Sequence, residues 1–195
     1  MKQTLYKYYS TATATQLSRA IETLSGRIYF SAPSKFNDPF ELSAKVNIST
    51  SPLVKSLSLK EKEAVERIFR LRPPEAVSAE WREKIGILCL TEDPLNILMW
   101  SHYANNHTGI CIGFDTEVSP FNSTKKVTYN GERPGGPGTY SFDKSAIRSI
   151  FLGARITPKN KESLIQAASM LIPHAKVFQT ELDNNYFWIN KKRLR

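Results

Sequence analysis

Residues 86–114 constrain the fold of this chain more than any other stretch. Two short apolar runs, Gly86-Ile87-Leu88-Cys89-Leu90 and Ile110-Cys111-Ile112-Gly113-Phe114, flank a segment that carries its own helix start and stop. Apolar runs of roughly four to eight residues bounded by turn residues read as buried strands. Between them, Asp93-Pro94 supplies an N-cap followed by a proline suited to the first helical position, and Thr108-Gly109 supplies a stop. The spacing predicts strand, helix over 94–105, then strand, with Asp115 at the end. The start of the chain repeats this order. Residues 5–9 form a short aromatic strand, and 11–24 a helix with a Leu17, Ala20, Ile21, Leu24 stripe before Gly26. A strand over 27–31 then ends before Pro33.

The remainder mixes both element types. A charged helical stretch stopped by Pro73-Pro74 marks residues 52–84 as a helical insert. An edge strand over 127–129 leads into a Gly/Pro loop over 131–138, then a strand over 147–152 and a helix over 157–172. Residues 175–182 and 186–190 pair as a hairpin around Asp183-Asn184-Asn185, and 191–195 form a basic tail. Strands and helices do not alternate strictly. The expected class is therefore α+β: one domain over 1–195, with a curved mixed or antiparallel sheet and flanking helices.

Charge and cysteines narrow the partners. Of the net charge of +9, residues 153–195 carry +5 and residues 91–152 carry −1. The excess ends in Lys191-Lys192-Arg193-Leu194-Arg195, which admits nucleic acid as a partner, a solvated tail being the plainer reading. Cys89 and Cys111 each lie inside an apolar run without zinc spacing, so both are expected to be reduced and buried, and no metal site is expected. An N-terminus without an apolar leader and the lack of any membrane-length run predict a cytoplasmic protein with no membrane partner.

Two stretches concentrate the chemistry. Met99 to Phe114 holds Trp100, His102, Tyr103, Asn105, Asn106 and His107 in eight positions, with two of the chain's three histidines. On a helix Met99, Trp100 and Tyr103 share one face, while Ser101 with Asn105 and His102 with Asn106 form polar stripes. Core packing is the default reading of the aromatic stripe, and His107 near the helix end also fits a dipole contact. In Phe36-Asn37-Asp38-Pro39-Phe40-Glu41, Asn37 and Asp38 suit an Asx turn fixed by Pro39. Glu41 is left over, and with Asp38 it forms a carboxylate pair able to bind a ribose or an amide or to act as a base. Asn37, Asp38, Glu41, His102 and Tyr103 are expected to line one cleft. The Gly/Pro loop lacks an ordered phosphate-binding pattern, and Arg133 is its group able to meet a phosphate.

At these residues the chain resembles a bacterial family catalogued as domain of unknown function 2971. The resemblance runs through Leu5-Tyr6-Lys7-Tyr8, residues 28–31, the FNDPFE block, Leu88-Cys89-Leu90, Met99-Trp100-Ser101-His102-Tyr103-Ala104, residues 109–114 and residues 150–153. One departure stands out. The family's segment resembling Lys-x-x-x-Trp-x-x-Glu-x-Glu-x-Arg is shortened here, where Tyr129 runs almost directly into Glu132-Arg133-Pro134. That implies a degenerate or purely binding member, with Glu132 and Arg133 as the remnant.

A looser architectural resemblance is to ADP-ribosyltransferases. It implies NAD as the substrate, Tyr103 stacked on nicotinamide, Tyr8 or Lys7 lining the pocket, Ser31 nearby, and a late carboxylate from Glu132 or Glu181. The expected function is thus a nucleotide-directed, NAD-dependent transferase-like enzyme in stress or phage defence. Its catalytic candidates are Glu41, His102 and Glu132, and its ligand-binding candidates are Lys7, Tyr8, Ser31, Asn37, Asp38, Trp100, Tyr103, His107 and Arg133. The alternative is a non-catalytic module that binds a ligand or nucleic acid.

Overall fold

Five strands order themselves around one that is buried along its whole length. The structure, a computed structural model, describes residues 3–35, 58–60, 63, 86–123 and 138–195. They belong to two compact units, one of residues 1–28, 89–130 and 139–195, the other of residues 29–88 and 131–138. In the first unit β1 (Thr4–Tyr9), β3 (Ile110–Asp115), β5 (Ile147–Leu152), β6 (Lys176–Leu182) and β7 (Ile189–Arg193) form a sheet of order β1-β3-β5-β6-β7. β1, β3 and β5 pair antiparallel, β5 and β6 parallel, β6 and β7 antiparallel. Every residue of β3 is buried, which is why its sequence is apolar without alternation. β2 (Arg27–Phe30) and β4 (Gly138–Ser141) make a two-stranded sheet. The architecture is α+β with a mixed sheet, and the described residues contain no closed barrel. In the second unit Ser31 and Ile87 exchange both backbone hydrogen bonds as an isolated bridge, at 3.0 and 2.8 Å.

Register sorts the side chains onto two faces. Tyr8, Cys111, Phe151 and Phe178 are successive cross-strand neighbours, so they share one face, which is covered by helix α2 (Ile97–Tyr103). The opposite face takes Lys7 and Tyr9, with α1 (Ala14–Leu24) and α3 (Pro158–Leu171) packed against each other over it. A hydrogen bond between the Thr23 and Tyr9 hydroxyls at 2.9 Å ties α1 to β1. α1 starts at a capping box, Thr13 with Gln16, and Thr157 caps α3 ahead of Pro158.

Several expectations need correcting. Residues 86–90 contain no continuous strand, only the Ile87 bridge, followed by a Thr91 bridge to Tyr6. Cys111 is buried but Cys89 is exposed. α2 begins at Ile97, not Pro94, because Asp93 spends its carboxylate on the Leu95 N–H in a turn (2.8 Å) and Asn96 takes the cap (3.1 Å to the Met99 N–H). The insert over 52–84, apart from Ser58, Leu59, Lys60 and Glu63, lies outside the described residues, as do the strand over 127–129 and the Gly/Pro loop before Gly138.

The basic tail is also different. The hairpin's second strand begins at Ile189, and Lys191, Lys192 and Arg193 belong to β7. Arg195 then reaches α3, donating to Ser169 Oγ at 2.9 Å and to the carbonyls of Ala168, Ile172 and Ala175 at 3.2–3.4 Å. A guanidinium thus adds side-chain donors to the backbone carbonyls at and just beyond the end of α3, where a cation also suits the helix dipole. Arg195→Ala should lower the unfolding free energy by about 1–3 kcal/mol, the range for bonds to a charged donor. Arg195→Lys, with fewer donors, should fall between. Denaturant titration checks this, and an unchanged midpoint in Arg195→Ala would contradict the role.

Candidate functional site

Helix α2 has seven residues, too few to persist alone in water, so side-chain packing holds it in place. Trp100 is fully buried, meets Tyr8 edge-on (centroids 5.2 Å apart, 89° between planes) and donates its indole N–H to the Pro94 carbonyl at 2.9 Å. Tyr8 donates its hydroxyl to the neighbouring Asp93 carbonyl, also at 2.9 Å. Two buried rings therefore pin the turn that opens the helix. Burial pushes both the Tyr8 phenol and the Cys111 thiol upward, so neither ionises near neutral pH.

Beyond α2 the backbone is left-handed for three residues in succession. Asn105, Asn106 and His107 have φ of 47, 51 and 69°. Left-handed backbone costs an L-residue roughly 1–2 kcal/mol, with Asn among the more tolerant. Fixed hydrogen bonds hold the turn: Asn106 N–H to Ser101 O (3.2 Å), Gly109 N–H to Ala104 O (2.8 Å) and Arg155 N–H to His107 O (2.9 Å). Gly109 and Gly153 are required here by close approach, since a Cβ on either would collide with the carbonyl oxygen of Tyr9 or of His107.

This turn delivers the His107 ring into the interior, parallel to Trp100 at 6.2 Å. His107 Nε2 lies 3.4 Å from Ser101 Oγ, and the Ser101 hydroxyl donates its proton to the Ile97 carbonyl at 3.0 Å. With that proton committed, Ser101 accepts and Nε2 must carry the hydrogen. Nδ1 is then a bare lone pair, and it is buried with no partner among the described residues. Burial first, then the positive charge of Arg155, lowers the His107 pKa. The ring is a neutral acceptor. Ser101 is not activated as a nucleophile, because its proton points to the backbone.

The other sequence-predicted residues divide clearly. Tyr8 and Trp100 are spent on packing. His102 and Tyr103 are exposed at the end of α2, Tyr103 by 51%. Lys7 leaves β1 on the face opposite Tyr8, its Nζ 5.7 Å from the Tyr9 ring centroid, and burial lowers its pKa. The two first-strand candidates therefore cannot line one pocket. Glu181 lies three positions beyond Phe178 on β6 and so projects away from the α2 face. Ser31 bridges to Ile87. Asn37, Asp38, Glu41, Glu132 and Arg133 lie outside the described residues, and with them the expected convergence of the two motifs. Sequence reasoning missed Ser101 as the His107 partner and Arg155 as its charged neighbour. The run Asn-Asn-His before Thr-Gly was a usable signal for the turn, because Asn accepts left-handed backbone.

Among the described residues no group of three or more His, Cys, Asp or Glu is placed to hold a metal. Two concave surfaces lie along α3 and the end of β6, around Pro158, Lys161 and Gln179, and neither is lined by α2. Both are open to solvent. No helix among the described residues is long and apolar enough to cross a membrane.

The model of the family described as Protein of unknown function (DUF2971) matches residues 99–186, from within α2 to the β6–β7 turn. Over that span the chain is similar to this family. Comparison with curated proteins and with solved structures gives no match.

Titration tests the His107 geometry. Its folded pKa is lowered below the unfolded value of about 6.5, so on acidification the unfolded chain takes up the proton first. The stability tied to neutral His107 is complete above about pH 6.5 and is lost progressively as pH falls below it. Denaturant midpoints between about pH 5 and 8 should decline on the acid side, and His107→Phe should flatten that decline. An equal slope in the variant would remove His107 as the responsible group.

Proposed function

We propose, for this chain with its match to the DUF2971 family, that the end of α2 binds the planar ring of a small molecule, NAD being the leading candidate. The observation that carries the reading is the unpartnered, buried His107 Nδ1, held in a left-handed turn that follows the exposed Tyr103 in the chain. Strained backbone and orphaned acceptors cost free energy and gather where a ligand is received. Tyr103 offers a ring face for stacking, and the exposed Asn105 and Asn106 offer both donors and acceptors. A carboxamide N–H is the type of donor that a neutral imidazole nitrogen accepts. Nicotinamide joins such a group to a planar ring.

Binding alone and turnover are separate readings. Ribosyl transfer needs a carboxylate beside the ribose, stabilising the developing cation more strongly than the ground state. Glu132 is the carboxylate that this reading uses, with Glu41 and His102 as the other candidates. The shortened acidic segment before Glu132 favours the non-catalytic alternative. In stress or phage defence a degenerate member would then sense the ligand without consuming it.

Calorimetry with NAD separates these. The wild-type chain should bind, and Tyr103→Ala should lose roughly 1–3 kcal/mol of binding, as for loss of one stacked ring. Glu132→Gln should keep binding and abolish any NAD cleavage the wild type has. Absence of binding at millimolar NAD rejects the reading.

A further inference from the structure

The β6–β7 hairpin ends in three consecutive aromatic residues, all turned outward. Phe187 is fully exposed, and Tyr186 and Trp188 are each more than half exposed. Apolar rings on a loop tip ordinarily collapse onto the protein, yet this loop is built to hold them out. Asp183 organises it: Oδ1 accepts from the backbone N–H groups of Asn185 and Tyr186 (2.9 and 3.0 Å), and Oδ2 from Trp188 Nε1 and Asn190 Nδ2 (3.2 and 3.0 Å). These donors, that of Asn185 foremost, hold the carboxyl below its usual range, so it stays charged. Tyr186 and Trp188 lie 5.2 Å apart and tilted by 33°, which leaves the outer ring faces open.

Directly behind the tip, β7 carries Lys191, Lys192 and Arg193, all exposed, on the outer strand of the sheet. Lys191 is steadied above the Phe151 and Phe178 rings (5.6 and 5.3 Å). Neighbouring residues of a strand point to opposite faces, so the three cations line both sides of one edge. We infer that this hairpin binds single-stranded nucleic acid, with Lys191, Lys192 and Arg193 meeting successive phosphates and Phe187 and Trp188 stacking on bases. Charge complementarity supports the assignment, because residues 153–195 carry +5 of the net +9. A line of cations beside open ring faces matches a flexible polyanion whose bases are unpaired. The inference rests on the hairpin's own residues, and its test is independent of NAD.

The experiment is fluorescence anisotropy of the full chain with labelled thymidine and uridine homopolymers of about twenty nucleotides, longer than a typical single-module site. Duplex DNA of equal length and vesicles containing phosphatidylserine serve as competitors. Affinity for the single strands should fall with salt, and Lys192→Gln should reduce the magnitude of the log–log slope by about 0.7, the value for one phosphate on a single strand. Phe187→Ala should weaken binding about 5- to 150-fold, with unchanged circular dichroism because its ring is free of the core. Deletion of 191–195 would be uninformative, as it removes most of β7 and Arg195. No binding to either homopolymer, equal competition by duplex, competition by vesicles alone, or full affinity in both variants would each overturn the inference.

Discussion

Trp100 seated on the Tyr8, Cys111 and Phe151 face of the sheet is the contact on which the candidate site depends. Removing a buried Trp ring costs about 3–5 kcal/mol. Three left-handed L-residues cost a comparable sum, roughly 3–6 kcal/mol before the tolerance of Asn is counted. The Asn105-Asn106-His107 turn therefore persists because Trp100 anchors the helix before it and residues 153–155 hold the chain after it. Glycine at 109 and 153 lets those segments approach. Packing, turn and buried imidazole are one device, and a change to any of them acts on the other two.

The C-terminal region shows a second coupling, between charge and architecture. Lys191, Lys192 and Arg193 are strand residues, and Arg195 closes α3 through four acceptors. Net charge alone cannot distinguish such residues from a solvated tail. The distinction lies in β6–β7 pairing, where Val177 and the last two residues exchange backbone hydrogen bonds. A basic run can complete a sheet and still present its cations outward, because strand side chains alternate and the outer strand leaves both faces accessible.

Legibility in the sequence followed locality. β3, β5, α1 and α3 could be read from contiguous apolar runs, one-face periodicity and caps such as Thr157-Pro158. The start of α2 could not, because Asp93 and Asn96 are both competent caps and long-range bonds from Tyr8 and Trp100 select between them. Cys89 sits in an apolar run but on a segment that forms isolated bridges at Ile87 and Thr91 and no continuous strand, and it is exposed. The hairpin loop is longer than a three-residue Asp-Asn-Asn turn because four donors converge on Asp183 and extend it to residue 188. Within the candidate site, the density of polar and aromatic groups marked the stretch that holds α2 and the left-handed turn. It did not separate the packing pair, Tyr8 and Trp100, from the exposed pair, His102 and Tyr103, because helical phase changes where α2 ends. Pairing of Ser101 with His107 depends on a left-handed turn that no periodicity displays.

The state of His107 tests this account most directly, through histidine-selective nitrogen NMR of the folded chain at neutral pH. The account predicts a neutral ring protonated on Nε2, with an unprotonated Nδ1 whose resonance moves when NAD is added. An imidazolium, or a neutral ring protonated on Nδ1, would contradict the hydrogen-bond assignment through Ser101 and with it the acceptor on which the site is built.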